Sequence, residues 1–396
     1  MADGQWAIYV AAHALLAACL GAAKLVALPL LAQTSICAGA IVYIGSHLSL
    51  TLVCGADTNS RTDSAEEARP LSKASALAVP LLASSALLAA FVAFWRYGQR
   101  VACPLLIRAG LVLAGFVGLA ETLVVLSEPW LRGQDSRWSL RFWVPLLTNW
   151  KGDTVVLSFG KAQILVYAAS ACVSVAYICT EDWTLQNVLT AAISIQAVGR
   201  IAPGRLATAL LLLVALCAYD AHWFFRAQAV VQGAVQFQGP AKIVFPTQHD
   251  PWTGSVLGIG DIVVPGLFVA VCLRLDAANT ADAASEGQLE GVSTVHRPSG
   301  ANPIAGLESS RDEAGTEQHR SFQKRTFWPV YFAFLVGVVA RDLAVSRYER
   351  PLAPLQFFAP AMVLAFVCAV AAGRGLRCAL AYTEHEVGGG GGIKED

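Results

Sequence analysis

Apolar residues along the chain fall into blocks of about twenty, bounded by charges or by Gly- and Pro-containing stretches. They show neither the strict alternation of a half-buried strand nor the length of a core strand. Blocks of that size match the hydrocarbon thickness of a bilayer. They predict membrane spans at 35–54, 76–97, 104–127, 161–178, 183–199, 206–225, 255–273, 327–346 and 355–373. A further apolar stretch, 6–30, precedes the first. It reads either as a signal sequence or as a retained extra helix, and it lacks a basic leading region, since its first positive residue is Lys24. The fold class that follows is an all-α polytopic membrane protein with nine spans, extended by one helix if 6–30 is retained.

The organisation predicted from this pattern has six parts. An apolar segment (1–34) precedes helices 1–5 (35–199) and a central pair of spans, 6 and 7 (200–274). A segment rich in Ala, Ser, Gly and Glu (275–326) has no apolar period and reads as a flexible cytosolic loop. The last two spans occupy 327–375, and 376–396 forms a cytosolic tail containing the glycine run 388–392.

Charge adds orientation. Only 14% of the 396 residues are charged, about half the usual share, while 56% are hydrophobic. The 28 basic and 28 acidic residues balance, which removes the electrostatic case for nucleic acid. Lys and Arg number 19 in the odd connections and tail against 8 in the even connections. The positive-inside rule therefore predicts a cytosolic C-terminus. The ten cysteines lie mostly in apolar blocks, with no CxxC pair and no zinc spacing. They read as soft packing residues, and no metal or cofactor is implied.

Acids inside spans carry the chemistry, because burying a carboxylate costs several kcal/mol unless it is used. Two stand out: Asp220 in LCAYDAHWFF and Asp261 in VLGIGDIVVPG, neither with a Lys or Arg within four residues. Span 6 runs outward and span 7 returns. At about 1.5 Å per residue both acids lie roughly 8–9 Å below the outer surface, where antiparallel neighbours can face each other. Such a pair shares one proton and suits aspartic-protease chemistry, which needs neither a metal nor a covalent intermediate. Gly258 and Gly260 are expected to let another backbone approach Asp261, and Pro265 and Gly266 to weaken the same helix.

These residues resemble the signal peptide peptidases and their relatives, the presenilin-type GxGD intramembrane aspartyl proteases. The family's YD motif reads as Tyr219-Asp220 and its GxGD motif as Gly258-Ile259-Gly260-Asp261. GPAKIVFP (239–246) is similar to the segment before the second aspartate, and DWTLQNVL (182–189) to the fifth-span signature. The family's PAL motif departs here to PLAPL (351–355), in which Ala353-Pro354-Leu355 stands in for it with two residues transposed, or the motif begins at Pro351 with an insertion.

The resemblance implies Asp220 and Asp261 as the catalytic pair, Tyr219, Gly258 and Gly260 as active-site motif residues, and Ala353, Pro354 and Leu355 as substrate-positioning residues. It also implies a nine-helix bundle in the endoplasmic reticulum or another endomembrane. Membrane-spanning peptides of type II orientation, such as remnant signal peptides, would be the substrates. Homo-oligomers occur in the family, and the lipid bilayer is the other partner. Two alternatives stand beside this reading. One is a catalytically weak relative that binds membrane peptides, motivated by the PLAPL departure. The other is a proton-coupled transporter using both acids as ion sites.

Several residues draw ordinary readings. His222 lies about 200° round the helix from Asp220 and reads as packing. Tyr219 fits either a hydrogen bond near the acids or a lipid-interface aromatic. Arg341 and Asp342 read as marking the end of the eighth span, and Trp143 and Trp150 as an interfacial belt.

Overall fold

The structure is a computed structural model that describes residues 3–25, 29–54, 102–131, 137–142, 155–226, 239–245, 255–294, 323–348, 354–372, 379–380 and 382–383. Nine helices are formed among them: α1 (Asp3–Leu25), α2 (Leu30–Cys54), α3 (Ala102–Leu131), α4 (Lys161–Thr180), α5 (Trp183–Arg200), α6 (Leu206–Arg226), α7 (Ile259–Thr294), α8 (Phe327–Tyr348) and α9 (Leu355–Ala371). Five of them, α1, α2, α3, α4 and α8, are long and apolar enough to cross a membrane, and α6 and α9 are shorter apolar helices. The chain is an all-α polytopic membrane protein in class. The span predicted at 76–97 lies outside the described residues.

Two small antiparallel hairpins interrupt the helices, and the apolar pattern hid both. Strand β1 (Arg137–Phe142) pairs with β2 (Val155–Gly160), with Arg137 opposite Gly160. Strand β3 (Lys242–Phe245) pairs with β4 (Ser255–Gly258), with Lys242 opposite Gly258. The seventh span thus begins as a strand and becomes a helix only at Ile259. Four residues of KIVF and SVLG are too few for a period to show, and Val, Ile and Phe favour a strand wherever the backbone finds a partner.

Burial centres on α2 and α7. α2 packs against α1, α5, α7 and α8, while α7 also touches α5, α6 and α8. The approach is close where small residues allow it: a Cβ at Gly266 would stand 2.7 Å from Val198 Cγ2. The α4–α5 turn is tight, with Glu181 at φ 52° and Asp182 accepting from the Thr184 N–H at 2.9 Å as the N-cap of α5. α8 and α9 form an antiparallel pair, and α9 also leans on α6.

Two expectations shift beyond the seventh span and in the tail. Residues 275–294, read as the start of a flexible loop, continue α7 instead. Ala, Glu, Gln and Leu dominate that stretch, and their helix propensity extends an existing helix without apolar periodicity. The tail, too, is partly tied down: Ala379 is buried and Thr383 bridges to Arg205. Asp276 caps α8 from α7, its Oδ2 accepting from the Thr326 and Phe327 N–H groups at 2.8 and 2.9 Å.

Candidate active site

The site is built where β4 runs into α7. Gly258 is the residue before the helix, and Asp261 is third within it. The Gly258 N–H donates to Asp261 Oδ2 at 3.0 Å. This is half of a capping box, the acid at N3 reaching back to the N-cap amide. The first helical turn also presents its positive end to that carboxylate. GxGD is therefore a helix start as well as a chemical motif. Pro265, one turn on, has no N–H, so the Asp261 carbonyl lacks its ordinary helical partner.

The hairpin before this junction is held on both sides. On the β3 side, the Asn187 side chain of α5 donates to the Val244 carbonyl at 2.9 Å and accepts from its N–H at 2.8 Å. It thereby behaves like a neighbouring strand. Gln186 and Thr190 both donate to the Lys242 carbonyl at 3.2 Å. The LQN stretch of α5 is thus a clamp on β3. Its polar residues are buried in a membrane helix because each has a backbone partner. On the β4 side, Arg341 Nη2 of α8 donates to the Val256 carbonyl at 2.7 Å.

Asp220 comes from the last third of α6, an uninterrupted helix. Its Oδ2 accepts from the Leu355 N–H at 3.3 Å, at the first residue of α9. The Cys217 thiol, one turn earlier, meets the Leu355 carbonyl at 3.6 Å. The PAL-like stretch is therefore brought to Asp220 through the main chain of Leu355, with Pro354 preceding α9 as its cap. Ala353 lies outside the described residues.

The two carboxyls are within Coulombic range of one another, and the Arg341 guanidinium is within range of Asp261. Both acids are half-buried. Tyr219 is half-buried against the core, and His222 is exposed.

Two expectations about this neighbourhood are corrected. Among the described residues, no other backbone packs on the motif glycines. The atom nearest a Cβ at Gly258 would be Asp261 Oδ2 at 3.1 Å, and nothing lies within 4 Å of one at Gly260. Gly258 leaves room for the carboxyl it binds, and a Cβ at Gly260 would meet none of the described residues. Arg341 and Asp342 do not mark the end of a span, since α8 continues to Tyr348. Both are buried, joined by an ion pair of 2.6 Å, and the Thr34 hydroxyl of α2 donates to Asp342. Sequence reading passed over this pair because adjacent opposite charges look like an interfacial boundary. Their signal was position: fifteen residues into a helix that extends past them.

Comparison with known proteins bears on most of the chain. The family model described as signal peptide peptidase matches residues 62–385. The signal peptide peptidase of Homo sapiens is 26% identical over 204 residues, covering 50% of this chain and 54% of that protein. Its Mus musculus counterpart is 27% identical over 206 residues, covering 50% and 53%. A probable intramembrane protease of Schizosaccharomyces pombe is 27% identical over 235 residues, covering 59% of this chain and 68% of the relative. The chain thus spans about half the length of the first two relatives. No solved structure matches it.

Proposed function

The chain belongs to the signal peptide peptidase family, and from that premise we propose that it is an intramembrane aspartic endopeptidase in which Asp220 and Asp261 are the catalytic pair. The observation that carries this reading is the convergence of three separated motifs. Asp220 of YD accepts from the Leu355 amide of the PAL-like stretch, and Asp261 of GxGD lies within Coulombic range of Asp220.

In the proposed reaction the pair shares one proton. The ionised carboxylate takes a proton from water as the water oxygen bonds to the peptide carbonyl carbon. The protonated carboxyl gives its proton to the carbonyl oxygen as that oxygen gains charge. Collapse of the tetrahedral diol breaks the C–N bond, and a proton passes to the departing amine. The products are a new carboxyl terminus and a new amino terminus. Which acid plays which part is left unassigned.

A helical substrate hides its peptide bonds, so it must unwind before attack. The space at Gly260 suits an extended segment lying beside Asp261. Single-span segments of type II orientation, including remnant signal peptides, are the proposed substrates. The charge asymmetry supports a cytosolic C-terminus, and the family resemblance alone supports an endomembrane location. Self-association into homo-oligomers belongs to the same proposal.

The test is cleavage by purified protein. Wild type, Asp220→Ala and Asp261→Ala are incubated in mild detergent with a signal-peptide-derived transmembrane substrate, and products are read by mass spectrometry. Discrete cuts within the apolar stretch, absent from both variants, are expected. Intact substrate with folded wild type, beside an active family member, would overturn the reading in favour of a peptide-binding relative.

A further inference from the structure

Arg341 has more to do than the proposed reaction has asked of it. It sits inside α8, 6% exposed, where a cation is costly unless its charge and its donors are engaged. Nη1 meets Asp342 at 2.6 Å, and Asp342 is in turn bonded by Thr34 of α2. Nη2 holds the Val256 carbonyl at 2.7 Å. The guanidinium also stands within Coulombic range of Asp261.

The choice of Val256 matters. In an antiparallel pair, residues alternate between those that exchange ladder bonds and those whose main-chain groups point outward. The Ile259 N–H bonds the Ala241 carbonyl at 2.9 Å, while the carbonyls of Lys242 and Val244 go to α5. Opposite Lys242 and Val244 stand Gly258 and Val256, whose groups therefore point to the outer edge of β4. There the Gly258 N–H holds Asp261, and the Val256 carbonyl, two residues earlier, is held by Arg341. Fixing Val256 fixes the strand that carries the donor to Asp261. A charge placed only to end a span would need none of these contacts.

We propose that Arg341 is a positioning residue for peptide-bond cleavage: it anchors the outer edge of β4 through the Val256 carbonyl, with its charge within Coulombic range of Asp261, keeping the Gly258–Asp261 arrangement ready for the reaction. Asp342 and Thr34 hold the guanidinium in turn. The inference rests on the dyad reading above.

The test compares wild type, Arg341→Met, Arg341→Lys and the double variant Arg341→Met/Asp342→Asn in detergent. The double variant leaves no unpaired buried charge, so it keeps the comparison alive if Arg341→Met alone fails to fold. Turnover of a transmembrane substrate, thermal melting and binding of a hydroxyethylene peptide isostere are measured on each. The expected result is a fall in kcat of about 10- to 100-fold in both Met variants, with KM within about threefold of wild type. Isostere affinity falls in parallel with kcat, and Arg341→Lys recovers part of the loss by restoring charge without the double contact. A folded double variant with kcat within about twofold of wild type would overturn the proposal. So would a loss residing entirely in KM, or a folded Lys variant no better than Met. A wild type that neither cleaves substrate nor binds the isostere would instead sink the dyad reading, and this inference with it.

Discussion

Asp261 and Asp220, the proposed catalytic pair, are held in different ways. Asp261 bonds an amide three residues away, at a helix start whose preceding strand is clamped by α5 and α8. Asp220 stands on a plain helix and is met by an amide 135 residues away in sequence, at the longer distance of 3.3 Å against 3.0 Å. The first arrangement is local and reinforced. The second exists only if α9 arrives in the right place. The motifs divide along the same line: GxGD is compact because it is one helix turn, whereas YD and PAL are separate words joined by folding.

The proposals gain or lose most where the two halves can be perturbed separately. The largest effect is expected from Asp220→Ala and Asp261→Ala, each lowering turnover by about a thousandfold or more with melting temperature retained, read by product mass spectrometry. Unequal losses would show that the halves are not equivalent in the reaction. Next comes Asn187→Leu, which strands the Val244 N–H and carbonyl. It should destabilise the protein by about 2–4 kcal/mol, measured by melting, and speed hydrogen exchange at Val244.

Gly258→Ala sharpens the contrast from inside the local cradle. Its Cβ would stand 3.1 Å from Asp261 Oδ2, so kcat should fall about tenfold with little change in melting. On the Asp220 side, Ala353→Pro with Pro354→Ala restores the PAL order, and kcat/KM is expected to rise by about two- to tenfold. No change there would leave the Leu355 amide as the whole of that contact. The smallest effect on stability is expected at Gly260→Ala, where the added methyl meets nothing within 4 Å. Melting should stay within about 0.5 kcal/mol of wild type while KM rises, if substrate occupies that space.

Much of the frame was legible from residues alone. Apolar block length gave eight of the described helices to within a few residues, because lipid leaves a spanning backbone little choice but helix. The two acids were visible because a carboxylate in an apolar block is expensive. The hairpin at β3–β4 was not, since four-residue strands carry no readable period. The LQN clamp was quoted as a signature without its physical meaning, which required knowing that β3 lies beside α5. Arg341 looks like a span boundary in sequence because its contacts lie on other elements: Val256 and, through Asp342, Thr34.

Sequence by itself determined that this chain lives in a membrane, which segments are apolar enough to sit there, and which two acids need a purpose. It did not decide which helices form the centre. α2 and α4 are both apolar, yet 78% of the membrane window of α2 is buried in the protein against 17% for α4. Lipid tails are as apolar as leucine, so hydrophobicity cannot sort one helix from another. Close packing of small residues and buried polar contacts does that sorting, and both depend on neighbours far away in sequence. The tertiary structure alone therefore brought Leu355 to Asp220 and Arg341 to the strand beside Asp261.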